Sequence, residues 1–348
     1  MPLPKALLAS LILTLLLGFG LPPATLAHYK PFPTDLSRSI HSEASDALIF
    51  DEAAFRDRVA QAGAGCERLA CGVRKAQVVA EGHASSEPGA KKNQARVHSH
   101  LQFKADNQVF LSTSEEVTLQ RDSTYPIADP TAISSVELFG QRAEFGPEVR
   151  QSMHHGFPFI TLPRTYSYFD PIIHDHYPLD FVDRRDLPRA DGSLRVFEFH
   201  QHIPPHAVPT QGLELAGVAA DFFDEEELAA RQLDPGAQRS LKPFYQVDRT
   251  LFVEPKTGRI VDRKEHIEMI WALDYVEAQM SIDAGEAEKR AIFIGDMNWD
   301  KDTVAAQEAE VTKVIKNLHL MRIISWVAKM AALVITGVLL YSWWRRRA

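Results

Sequence analysis

Two apolar runs bracket this chain, one from Leu7 to Leu17 and one from Ile323 to Trp344, and the stretch between them is polar and acidic. The second run is long enough to cross a bilayer, because a spanning helix needs about 20 mostly apolar residues. It closes on Trp343 and Trp344 followed by Arg345, Arg346 and Arg347. Aromatic rings favour the headgroup level and arginines beside a span stay on the cytoplasmic side. The expected layout is a transmembrane helix over 323–344, a cytoplasmic tail over 345–348 and everything earlier outside the cell membrane.

The first run follows a single cation, Lys5, and leads into Leu21-Pro22-Pro23-Ala24-Thr25-Leu26-Ala27. Basic, then apolar, then small residues is the order of a secretory signal, with a cut expected after Ala27. Gly18-Phe19-Gly20-Leu21 extends the run toward the length of an anchor. Residues 1–27 therefore read as a signal peptide or a signal anchor, and either one exports the middle.

Charge then narrows the function. The chain carries 38 Lys and Arg against 46 Asp and Glu, a net of −8. Six cations (Lys5, Arg322, Lys329 and Arg345 to Arg347) lie in or beside the apolar ends, which contain no acid. Without them 32 cations face 46 acids, so the exported part carries −14. Nucleic-acid binding needs a basic footprint, and this sign excludes it. Cys66 and Cys71 lie in Cys-Glu-Arg-Leu-Ala-Cys. Outside the membrane that spacing is expected to form a local disulfide of modest stabilising effect.

Strand signals dominate residues 28–302, which form the expected exported β-rich domain. Alternation or β-favouring residues mark Val97 to Phe103, Val109 to Leu119, Ser134 to Phe139, Leu194 to Ile203 and Thr250 to Val253. Phe252 to Val261 reads as a β-hairpin whose reversal is bounded by Pro255 and Gly258, with its second strand running through Met269-Ile270-Trp271. Ala80 to Asn93, rich in small and polar residues, reads as a mobile loop. Asp224 to Gln232 reads as a helix. A second helix begins at Thr303 with Asp302 as candidate cap, and Val304, Val311, Val314, Ile315 and Leu318 recur at helical spacing. No Pro or Gly separates 303–322 from the span, so this membrane-proximal helix is expected to run directly into it. The alternative is an amphipathic helix packed on the sheet, with a break near His319.

Enzyme signatures are thin. No Gly-x-Ser-x-Gly elbow, phosphate-cradling glycine loop or His-Glu-x-x-His helix is present, and the expectation is a binding protein with no catalytic residues and no cofactor. The 14 histidines include the pairs His98/His100, His174/His176 and His154-His155. His200, His202 and then His206 are weak metal candidates, since residues two apart on a strand share a face. An aromatic stretch, Phe157-Pro158-Phe159 followed by Tyr166, suggests the lining of an apolar cavity. Phe157, Phe159, Tyr166, Phe197, Phe199, Phe252 and Trp271 are the expected lipid-cavity residues.

The order of motifs carries a resemblance. Gly156-Phe157-Pro158-Phe159, Tyr168-Phe169-Asp170, Tyr177-Pro178-Leu179-Asp180-Phe181, Val196-Phe197-Glu198-Phe199, Ile203-Pro204 and the hairpin Leu251 to Asp262 follow one another before the helix-to-membrane tail. In this the chain resembles the actinobacterial membrane-anchored proteins of the porin PorA family, which includes the LmcA-like lipoglycan-maturation proteins. The match runs from about Gly156 to the C-terminus, plus Pro33-Thr34-Asp35-Leu36. It implies a mainly β, elongated barrel-like or curved-sheet exported domain with an internal cavity. It also implies a role in lipomannan and lipoarabinomannan assembly by binding a lipid or glycolipid of the phosphatidylinositol-mannoside type. The competing expectations are a metal-dependent envelope enzyme using the histidine pairs, and a structural scaffold partnering a membrane glycosyltransferase.

Overall fold

The computed structural model describes residues 5–58, 68–189, 192–210 and 212–347. The chain opens with α1 (Lys5–Leu15), a π-helical turn (Leu16–Gly20) and α2 (Leu21–Tyr29), which together make one rod. Strands β1 (Ser37–His41) and β2 (Ser45–Phe50), the short helix α3 (Glu52–Arg56) and the long strands β3 (Val73–Pro88), β4 (Gln94–Ala105) and β5 (Gln108–Gln120) follow. Next come β6 (Ala132–Leu138), β7 (Gln141–Glu148), β8 (Tyr166–Asp170), β9 (Asp175–Arg189), β10 (Gly192–Ala207) and β11 (Leu215–Val218). Helices α4 (Ala219–Phe222) and α5 (Glu225–Ala230) precede β12 (Gln238–Glu254) and β13 (Arg259–Ala272). The chain ends with α6 (Tyr275–Asp283), β14 (Ala291–Asp296) and α7 (Lys301–Arg347).

Twelve strands pair antiparallel in the order β7-β6-β5-β4-β3-β2-β14-β13-β12-β10-β9-β8, with β1 added on β3 and β11 on β12. The sheet curls into a half-barrel, so the fold is mainly β with a long C-terminal helix, as the sequence predicts. Side chains draw its two ends together. His174, just beyond β8, meets Ser134 of β6 at 2.9 Å and Glu148 of β7 at 3.1 Å, and its ring stacks on Phe145.

The concave face has three layers, and period-two alternation along each strand creates them. One apolar layer gathers Phe103, Leu111, Val247, Met269, Trp271 and Phe293. A second gathers Phe157, Tyr166, Tyr168, Phe199, Leu251 and Val253. Between them lies a polar belt. On β12 the inward sequence is Tyr245, Val247, Arg249, Leu251, Val253, and Arg249 sits opposite Glu265 of β13. On β5 the inward residues Leu111, Thr113, Glu115 and Val117 place the belt at Thr113 and Glu115.

Most predicted elements lie within longer observed ones. The hairpin turn falls at 255–258, and Asp224 caps α5 by accepting from the Glu227 N–H at 2.9 Å. Three expectations change. Ala80 to Asn93 is strand through Pro88, leaving only 89–93 as a turn. Gly82 is there for clearance: a Cβ on it would meet Ile40 Cγ1 of the paired strand β1 at 2.6 Å. The cap of α7 is Asp300, whose carboxylate accepts from the Thr303 N–H at 2.7 Å, rather than Asp302. The two alternatives for the last helix also merge. Helix α7 runs unbroken through His319, and its first turns pack on the sheet through Val311 against Leu194, Val196 and Val261.

Lys5–Tyr29 and Lys301–Arg345 are both long and apolar enough to cross a membrane, by length and composition. They lie side by side. Ser325 Oγ donates to the Gly18 carbonyl at 2.8 Å, and Asn317 Nδ2 donates to the Tyr29 hydroxyl at 2.8 Å. A Cβ at Gly18 would stand 3.0 Å from Lys329 Cγ, so a small residue sets this close crossing.

Candidate functional site

The polar belt lines a partly open cavity of about 100 Å³. Its ionic frame is built on β8, β10, β12 and β13. Arg249 is 1% exposed, donating to Asp170 Oδ2 and Gln201 Oε1 at 2.5 Å each and to Glu265. Asp170 also accepts from the Tyr245 hydroxyl at 3.2 Å and the Ile172 N–H at 2.8 Å. Gln201 Nε2 donates to the carbonyls of Tyr168 and Tyr177, and Arg263 donates to Glu265 at 2.7 Å. Every charge here has a partner, as removal from water requires. Burial pushes the Glu265 carboxyl up, but Arg249 and Arg263 outweigh it and hold it down at about 2.

The opposite wall comes from β5 and the segment between β7 and β8. Glu115 binds Arg150 through Oε1, and its Oε2 lies 2.7 Å from His154 Nδ1 and 3.1 Å from His155 Nε2. The His155 contact lacks hydrogen-bond alignment, leaving that nitrogen buried without a partner. Burial, Arg150 and Arg38 push the His155 imidazole down to about 3. His154 is lowered as well, by burial and then by His155, Arg263, Arg249 and Arg150, despite its carboxylate neighbour, whose charge Arg150 shares. Both rings are therefore neutral at physiological pH. Arg150 also lies 3.6 Å over the Phe169 ring, and burial lowers its guanidinium to about 10.

A second space, a groove of about 760 Å³, lies where the chain leaves the end of α2 and α7 leaves the sheet. Phe32, Phe157 and Phe159 give it an apolar wall, while Lys30, Arg121, Arg259 and Lys313 give it cations. Arg38 and His155 line both the groove and the inner cavity, so the two spaces share a wall. Burial, then Arg259, lowers Arg38 to about 10 against the opposing pull of Glu310.

The residues singled out from sequence disperse across this architecture. Phe157, Tyr166 and Phe199 pack on one another, with ring centroids 5.2 to 5.8 Å apart, and Phe197 joins the same layer. Phe157 and Phe159 line the groove. Trp271 belongs to the other apolar layer, against Phe50 at 5.6 Å, and Phe252 packs toward α7 beside Val261 and Val311. His200 and His202 face outward from β10 toward Asp248, at 3.4 and 3.0 Å, and His206 faces Asp175 at 3.7 Å. Cys66 lies outside the described residues, and with it the expected Cys66–Cys71 bridge. The belt residues Glu115, Arg150, Arg249 and Glu265 went unmarked in the sequence, and Asp170 was marked only as the end of the Tyr168-Phe169-Asp170 motif. The one local signal for them is a charged residue on the apolar phase of a strand, as Arg249 is between Val247 and Leu251.

A curled β half-barrel with a polar belt between two apolar layers, joined to two helices long and apolar enough to cross a membrane, fits the class of membrane-associated β proteins. The chain belongs to the Porin PorA family, whose sequence model matches residues 3–341. It is similar to a Porin PorA of Corynebacterium resistens, at 27% identity over 284 residues covering 68% of each chain. It is also similar to a Porin PorA of Corynebacterium amycolatum, at 26% identity over 191 residues, which cover 51% of this chain and 48% of that one.

Proposed function

We propose that this protein is a membrane-anchored, extracytoplasmic binder of a lipid or glycolipid, of the phosphatidylinositol-mannoside type, acting in assembly of envelope lipoglycans such as lipomannan and lipoarabinomannan. One observation carries the reading. The groove at the root of the two apolar helices, walled by phenylalanines and cations, shares Arg38 and His155 with the cavity of the polar belt. A lipid standing in the adjacent leaflet would lay acyl chain against Phe32, Phe157 and Phe159. Its anionic headgroup would face the guanidiniums of Arg38, Arg121 and Arg259, which suit phosphate oxygens.

The word porin in the relatives' names suggests a pore. The outer face argues for a domain standing in water. Arg96, His98 and Glu116 on β4 and β5, and Asp183, Arg184, Arg185 and Asp186 on β9, project from it, and charges facing lipid at mid-bilayer cost about 2–4 kcal/mol each for Arg. The interior is filled by packed layers around a small cavity, unlike the water-filled lumen of a channel.

Native mass spectrometry of the full chain, released from nanodiscs doped with phosphatidylinositol mannosides, tests the reading. Retained mannoside adducts, weakened by Arg38→Ala together with Arg259→Ala, are expected. Adducts no more frequent than those of phosphatidylcholine would overturn it. Deleting the gene in its host should alter the lipomannan and lipoarabinomannan profile, and an unchanged profile would remove the biosynthetic role.

A further inference from the structure

We propose that Glu115, His154 and His155 form a site for a divalent transition metal, zinc by preference, at the wall of the inner cavity. Three ligand atoms, Glu115 Oε2, His154 Nδ1 and a ring nitrogen of His155, lie within 4.8 Å of one another. Ligands about 2.0–2.1 Å from a tetrahedral zinc stand roughly 3.3 Å apart. The observed separations of 2.7 and 3.1 Å from the carboxylate to the two imidazoles are close to that spacing. Two imidazoles and one carboxylate are the donor set of open zinc sites, in which a fourth position faces a cavity.

A second observation points to a ligand independently of the cluster. His155 has a side chain only 7% exposed, and its Nε2 finds no hydrogen-bond partner. A buried nitrogen with a free lone pair or an unshared proton is destabilising, and a metal ion at this spot relieves that cost. Arg150 completes the arrangement from behind: it holds Glu115 by Oε1 and leaves Oε2 turned to the histidines. Orienting a ligating carboxylate from its far oxygen is the usual task of a metal's outer partners.

The local charge also fixes what the fourth ligand is. Arg38, Arg249 and Arg263 line the cavity and Arg150 holds Glu115, four cations against the carboxylates of Glu115, Asp170 and Glu265, so the charge favours an anion beside a bound dication. The cavity of about 100 Å³ has room for a phosphate-sized group there. The site therefore takes a metal whose open position holds an anionic oxygen ligand. This inference does not depend on whether a lipid enters the groove.

The test uses the full chain in detergent micelles, stripped with a chelator and dialysed against Zn(II) or Co(II) separately. One zinc per chain is expected by elemental analysis, and Co(II) should give the visible ligand-field bands of a four-coordinate site. His155→Ala and Glu115→Gln should each weaken zinc binding by about 100-fold or more, while the His200→Ala/His202→Ala double variant should bind as the unaltered chain does. Zinc below about a tenth of an equivalent, or undiminished binding by both cluster variants, would overturn the proposal. Where those variants do not fold, the Co(II) spectrum of the unaltered chain decides, and absence of the bands overturns it. Inorganic phosphate should shift the Co(II) bands, and an unshifted spectrum would dismiss the anionic fourth ligand.

Discussion

Arg249 Nη2 lies 2.5 Å from Asp170 Oδ2 at the centre of the half-barrel, and neither side chain reaches solvent. Arg249 belongs to β12 and Asp170 closes β8, so this one contact joins strands separated by β9 and β10 in the sheet. The same guanidinium holds Glu265 and Gln201. It is the tie around which the polar belt is organised.

Removing that tie should be costly. Arg249→Met leaves Asp170 and Glu265 buried without their common cation, and losing one partner of a buried pair costs about 3–5 kcal/mol. Chemical denaturation of the variant should show that loss. A change below about 1 kcal/mol would mean the acids find water or other partners.

Acid should destabilise the protein through Glu265. Its folded carboxyl is held at about 2 against an ordinary 4.5, so the unfolded chain binds more protons as pH falls through this range. The stabilisation is present above about pH 4.5 and is lost as pH falls toward 2, for a total of about 3 kcal/mol. Denaturant midpoints measured between pH 6 and pH 3 report it, and Glu265→Gln should flatten the lower part of that curve.

Gly258 ends the turn between β12 and β13 with φ of +70°, and a Cβ there would stand 2.1 Å from the Phe157 carbonyl oxygen. The turn docks on 157–161 through Phe157 N–H to Gly258 O at 2.9 Å and Thr161 N–H to Pro255 O at 2.7 Å. Gly258→Ala should cost about 2–4 kcal/mol by adding a left-handed penalty to a backbone clash. Thermal unfolding measures it, and an unshifted midpoint would show that the turn can lift away.

Phe157 and Phe159 should separate packing from binding. Phe157 is buried in the aromatic layer, so Phe157→Ala should lose about 3–5 kcal/mol of stability. Phe159 is half-buried in the groove wall, so Phe159→Ala should change stability by under about 1 kcal/mol while reducing retained lipid. Equal destabilisation by both would assign Phe159 to the core.

The packing of Gly18 on α7 leads us to expect the N-terminal rod in the mature protein. Intact mass of membrane-purified protein should include residues 1–27, and Gly18→Leu should loosen the helix pair by displacing Lys329. A mass beginning at His28 would identify a cleaved signal.

What the sequence determined by itself was everything written in local periodicity. The apolar ends, the acidic middle, the hairpin at Pro255 to Gly258 and a last helix from about Thr303 onward follow from neighbouring residues. Hydrophobic pattern and turn chemistry act over a few positions, so they survive without a third dimension. Only the tertiary structure decided the site. Ala80 to Pro88 became a strand because it pairs with β4 on one side and with β1 on the other, the latter a contact between segments 42 positions apart at Ile40 and Gly82. Glu115, His154 and His155 met through the curl of the sheet and the path of the chain between β7 and β8. Asp170 met Arg249 across 79 residues of sequence because strand register put both on the concave face. Register and curvature are collective properties of the sheet, and no single strand carries them.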